Sequence, residues 1–127
     1  MKKTLIVLVL FSLLVSALIP VSNQLITQGY KHRDQPWAAT AVVAGGRIRM
    51  YLRQFPEARG VFETALQQFA AYPRRDKLHY WIARCYENEN NSRQARVWYA
   101  NFLTQWPTHS WANRVRERDA RLEAGGL

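Results

Sequence analysis

The chain is predicted to be all-α: an apolar N-terminal helix, then a set of short antiparallel helices closed by a last, capping one. Three observations carry this. Residues 4–19 form an uncharged run dominated by Leu, Ile and Val behind Lys2 and Lys3. From Trp37 onward apolar residues recur at three- and four-residue spacings with no alternating strand pattern. Helix stops then punctuate the chain at Pro56, Pro73, Asn90-Asn91-Ser92 and Pro107.

The apolar run, with the first 22 residues as its outer bound, is an export signal or a membrane anchor. It is longer than most signal-peptide cores and slightly short of the ~20 residues that span a bilayer, so spacing leaves both readings open. Val15-Ser16-Ala17 offers a small residue for cleavage, yet Leu18-Ile19-Pro20 follows it at once, and Pro20 is read as the break in the run. The anchor is favoured, because Val21 and Leu25-Ile26 extend the apolar surface. Lys2 and Lys3 direct the N-terminus to the cytoplasm and the domain to the far side; Lys31 and Arg33 pull the other way. No cysteine follows the run, so a lipoprotein anchor is excluded. Residues 23–36, polar and ending at Pro36, read as a tether.

The remainder, 37–127, is one helical domain. Five helices are expected at about 37–53, 56–71, 76–88, 92–105 and 109–123. Pro56 suits a helix start, Pro73 and Pro107 suit turns, and Ser92 is the expected N-cap. Gly125 and Gly126 end the last helix. A domain of this size buries a limited core, and the five tryptophans between Trp37 and Trp111 compensate with large rings.

The second and fourth of these helices share a pattern at an offset of 37 residues: Ala58, Phe62 and Ala65 correspond to Ala95, Tyr99 and Phe102. Twelve residues before each leading alanine stands another small residue, Gly46 or Ala83. Small residues let helices approach, and the rings fill the space between them. Ala83, Tyr86, Ala95, Tyr99 and Pro107 resemble the tetratricopeptide repeat, a helix-turn-helix unit with small, aromatic and proline residues at this spacing. The stretch from Ala39 to Arg75 departs from it: Arg49 stands at a usual aromatic position and Pro73 comes late. Ala71-Tyr72-Pro73-Arg74-Arg75 and Trp106-Pro107-Thr108-His109-Ser110 look like the joints of bacterial envelope repeat proteins, a group serving cell-division coordination or outer-membrane assembly. The resemblance implies two helical hairpins plus a cap. It also implies a concave groove lined by Val43, Arg47, Met50, Tyr51, Lys77, Tyr80, Arg84 and Glu87, with Arg47 and Arg84 in equivalent places.

Chemistry is sparse. One cysteine, Cys85, excludes an internal disulfide framework and a thiolate-rich metal site. His32, His79 and His109 have no site-forming spacing, and His79 with Cys85 falls on different helix faces. No catalytic, cofactor or metal residues are assigned, and no phosphate loop or nucleophile elbow appears. Glu87, Glu89, Glu117, Asp119 and Glu123 read as solvated charges paired with nearby arginines. The net charge of +9 favours an acidic partner. The expected function is therefore a membrane-tethered protein-binding adaptor or scaffold of the bacterial envelope, facing the periplasm from the inner membrane, or periplasmic or secreted if cleaved. Its expected partner is an acidic or carboxylate-bearing protein segment. A subunit of a larger membrane or filament assembly, or a self-associating one, is the alternative, since stacked repeats normally exceed two. Nucleic acid binding would use the arginines, but the export segment argues against it.

Overall fold

The computed structural model describes residues 1–125; Gly126, expected with Gly125 at the end of the last helix, lies outside the described residues. The fold is all-α. Six helices follow one another: α1 (Lys2–Lys31), α2 (Ala38–Tyr51), α3 (Phe55–Gln68), α4 (Arg75–Asn88), α5 (Ser92–Gln105) and α6 (Ala112–Ala124), and no strand occurs among the described residues. They form two compact units, residues 1–54 and 55–127.

In the first unit α1 and α2 form an antiparallel hairpin. α1 is one continuous helix of 30 residues, so the sequence reading is corrected twice. Pro20 lies inside the helix rather than breaking it, and the segment expected as a tether is helical as far as Lys31. The reason is the spacing of small residues. Ser22 and Gly29 on α1 are buried against α2, whose buried residues are Ala38, Val42, Val43, Gly45 and Gly46. A Cβ at Gly29 would strike Val42 Cγ2 and lie 2.8 Å from the Ala38 carbonyl oxygen; one at Gly45 would lie 2.6 Å from Ile26 Cγ1 and 2.9 Å from the Ser22 carbonyl. The two backbones touch where only glycine fits. Ser22 Oγ donates to the Gly45 carbonyl at 2.8 Å. Of the residues that make the segment look solvated, Gln24 is exposed, Gln28 is half-buried and Asn23 accepts from Arg49 of α2.

The N-terminal half of α1 has nothing packed on it. Leu5, Ile6, Val7, Leu8, Leu10, Phe11, Leu13 and Leu14 are all exposed. By length and composition α1 is able to cross a membrane or to serve as a signal sequence.

In the second unit α3 packs on α4, α4 on α5 and α5 on α6. Phe62 and Tyr99, matched by the 37-residue offset, are both fully buried, as are Ala58 and Ala95. Tyr80, Ala83, Ala95, Tyr99, Phe102 and Val115 form the core, flanked by Trp81, Trp98, Trp106 and Trp111. Each such ring contributes roughly 1.5 to 3 kcal/mol through burial. The burial pattern repeats as well: Val42, Val43, Gly45 and Gly46 on α2 are matched by His79, Tyr80, Ile82 and Ala83 on α4. α2 packs on α1 within the first unit and α3 on α4 within the second. Glycine contacts to α1 commit one long side of α2.

Local signals set the helix ends. α5 is capped by Asn91, not Ser92: Asn91 Oδ1 accepts from the Gln94 amide at 3.2 Å, and Asn90 adopts a left-handed φ of 59° to make the turn. Arg75 at the start of α4 donates to the Leu66 carbonyl at 2.9 Å, satisfying an end of α3.

Candidate partner-binding surface

Of the acidic residues expected to pair with arginines, Glu87, Glu89 and Asp119 do so as clasps between helices, while Glu117 and Glu123 are exposed. Arg59 on α3 grips Glu89 at the end of α4 with two bonds, 2.8 and 3.0 Å, and its guanidinium lies 4.4 Å from the Tyr86 ring centroid. The hydrogen bond to Glu89 raises the Arg59 pKa further above its ordinary value. Arg96, at the same repeat position, reaches Asp119 on α6 at 3.0 Å. Glu87 Oε2 accepts from the Tyr99 hydroxyl at 2.9 Å and from Arg118 Nε at 3.1 Å, and lies 3.2 Å from Arg84 Nε. Burial, with the Glu87 charge beside it, raises the Tyr99 pKa and keeps the hydroxyl protonated as a donor.

These contacts redistribute the predicted groove. Arg47, Met50 and Tyr51 belong to the first unit; Lys77, Tyr80, Arg84 and Glu87 belong to the second. Arg47 donates to the Tyr51 hydroxyl at 3.0 Å and Tyr51 is 75 % exposed, so this pair keeps a surface character. Met50 and Val43 differ, Met50 half-buried and Val43 buried. Tyr80 is 5 % exposed and is a core ring, packed on Tyr99 and Trp111. Glu87 is occupied internally, and Arg84 pairs with it. Of the four groove residues in the second unit, only Lys77 keeps its charge outside such a clasp.

Lys77 instead belongs to a cluster that sequence reasoning missed. Its ammonium lies 5.3 Å from the Trp111 ring centroid, and the Arg114 guanidinium lies 5.5 Å from the same ring. Trp111 is half-buried and held from below by Tyr80 at 5.1 Å. His109 completes the support: Nε2 is 2.6 Å from Asp76 Oδ2, and Nδ1 accepts from the Trp111 amide at 2.9 Å. The result is an indole flanked by two cations, fixed by α4 and by the turn before α6. The signal was present, because Lys77 and Arg114 stand 37 residues apart, the same offset that relates Ala58 to Ala95.

The remaining titratable core groups are structural. Burial pushes the Cys85 thiol up to about 12, which leaves it protonated and unreactive. His79 lies edge-on to Trp98 and Trp106, each at 5.1 Å, and burial lowers its pKa. Among the described residues no three His, Cys, Asp or Glu side chains converge as a metal site. Compared with protein-family models and with curated proteins, the chain matches none.

Proposed function

We propose that the protein is a membrane-anchored adaptor that recognises an acidic segment of another protein through Trp111, Lys77 and Arg114. The observation that carries this reading is two cations, 37 residues apart, flanking one half-buried indole. Such a surface offers an apolar plate for a side chain and charge-assisted contacts for carboxylates at either edge. The tetratricopeptide-like pattern, with matched buried rings at Phe62 and Tyr99, supports a recognition scaffold rather than a catalytic one. The Arg47–Tyr51 pair is a second basic and aromatic element, on the first unit.

Retention of α1 is supported by its packing: Ser22, Ile26 and Gly29 hold α2, so removing the helix as a signal sequence beyond Ser22 would strip α2 of its partner. Lys2 and Lys3 support a domain on the non-cytoplasmic side. The opposite topology is the second reading, favoured by Lys31, Arg33 and the three arginines Arg47, Arg49 and Arg53 that follow α1. A reporter fused after residue 125 that is active only outside the cytoplasm separates the two.

The recognition test is a quantified pull-down from native membranes with the full chain. Lys77→Ala with Arg114→Ala loses the bound polypeptide by about tenfold or more, on the basis of roughly 1.5 kcal/mol or more per charged contact. Arg93→Ala, an exposed arginine of α5, retains it. If all three bind alike, the Trp111 cluster is not the recognition surface. If the chain is soluble only together with its companions, it is a structural subunit of an assembly rather than an adaptor.

A further inference from the structure

The α1–α2 hairpin ties its polar contacts to one height along α1. No side chain from residue 4 to residue 30 carries a charge. The first amide and hydroxyl groups beyond Val21 are Ser22 and Asn23, and Arg49 docks there: Nε donates to Ser22 Oγ at 3.1 Å, one terminal nitrogen donates to Asn23 Oδ1, and the other reaches Gln54 Oε1 at 2.6 Å. These bonds set the C-terminal turn of α2 level with residues 22–23 of α1.

That level has a physical meaning once α1 spans a bilayer. At 1.5 Å per residue the stretch 4–21 is about 27 Å long, close to the ~30 Å hydrocarbon core. Arg49 then lies where hydrocarbon gives way to headgroups. Arg47 and Arg53 come with it, and residues 35–56 hold these three arginines and no acidic residue. The first half of α2 carries no charge at all. Tyr51, on the same turn, is 75 % exposed, with the Arg47 guanidinium 5.5 Å from its ring centroid. An exposed tyrosine with a polar tip suits the membrane interface. The C-terminal dipole of α2 favours cations there, and the phosphates of anionic headgroups are the negative groups found at that depth of a bilayer.

We infer that the C-terminal turn of α2, through Arg47, Tyr51 and Arg53, binds the phosphates of anionic phospholipid headgroups and holds the α1–α2 hairpin against the bilayer surface. Arg49 is a positioning residue, since it sets the height at which the others meet the lipid. The inference rests on α1 being a membrane anchor and is independent of the Trp111 cluster.

Depth measurement on the full chain tests it. Single cysteines are placed in a Cys85→Ala background by Leu10→Cys in the apolar half of α1, Thr40→Cys near the start of α2 and Met50→Cys at its end. Each is labelled with a fluorophore and reconstituted into phosphatidylcholine vesicles with or without phosphatidylglycerol. Quenching is read with nitroxides on the headgroup or on the acyl chain. Met50 and Thr40 are about 15 Å apart along α2, so headgroup quenching should be at least about threefold stronger at Met50→Cys. Removing Arg47 and Arg53 as Arg47→Gln/Arg53→Gln should roughly halve that quenching or more in anionic vesicles and leave it little changed in zwitterionic ones. Arg47→Lys/Arg53→Lys should restore it. Far-ultraviolet circular dichroism confirms that each variant keeps its helices. Equal quenching at positions 40 and 50, or no response to the arginine changes, overturns the headgroup site alone. Absence of acyl-chain quenching at Leu10→Cys overturns the anchor and the headgroup site together.

Discussion

The α1–α2 hairpin brings its helices together backbone to backbone, whereas α3 to α6 are held apart by rings. At Gly29 and Gly45 there is no room for a single added carbon, and the polar contacts of Ser22 and Arg49 close the seam. In the second unit Phe62, Tyr99, Phe102 and the tryptophans fill the space between axes, and arginine–carboxylate clasps tie the rim. Small-residue packing gains dispersion and hydrogen bonds but buries little apolar area. Aromatic packing gains most from leaving water. The two regions therefore hold their helices by different means, close backbone approach with polar contacts in one and burial of rings in the other.

The contrast is broken most severely at Tyr99. Truncation by Tyr99→Ala should cost about 3 kcal/mol or more, because it empties a fully enclosed site and leaves Glu87 without its hydroxyl partner. Set against a total stability of roughly 5 to 15 kcal/mol, this is a large loss. Chemical denaturation in detergent, followed by tryptophan fluorescence, should show it in the second unit.

Glycine substitutions sharpen the comparison. Gly45→Val places carbon where Ile26 and the Ser22 carbonyl already stand, and should cost about 1 to 3 kcal/mol by forcing the hairpin apart. Gly60→Ala meets nothing within 4 Å and lies within α3, so it should instead stabilise by roughly 0.5 to 1 kcal/mol. Opposite signs, measured as denaturation midpoints on the full chain, test whether close backbone approach is confined to the hairpin. Equal effects would remove the distinction.

The smallest effect expected is a pH dependence of the aromatic unit. Burial lowers the His79 pKa below its ordinary 6.5, Arg75 adds to the shift and Asp76 opposes it. Folded His79 therefore stays neutral where the unfolded chain already binds a proton. Stability is fully present above pH 6.5 and declines as pH falls from there toward the lowered pKa. Denaturation midpoints at pH about 7.5 and about 5.5 should differ less in His79→Leu than in the parent chain.

Much of the second unit was legible because helical periodicity and the 37-residue offset are properties of the chain itself. Ala58, Phe62, Ala65, Ala95, Tyr99 and Phe102 are all buried as that pattern required. The continuation of α1 through Pro20 to Lys31 was not legible. Proline and a cluster of Asn and Gln carry local signals for a break and a linker, and only the matching glycines of a second helix override them. The surroundings of two groove residues were not legible for a similar reason. Tyr80 and Glu87 lie on the expected helix, but Trp111 packs on one and Arg118 bonds the other, and both of those partners come from the last turn and helix of the chain.

By itself the sequence determined the helical class, the apolar N-terminal helix, the equivalent rings of the repeat and the excess of arginine, since each follows from residue type and spacing along one chain. Which helix α2 joins, which arginines pair with carboxylates and which two cations flank Trp111 were decided only by the tertiary structure. Those outcomes depend on distances of a few ångströms between residues up to several tens of positions apart. A charge or a methyl group at such a distance changes which pairing is lowest in energy without leaving a mark in local periodicity.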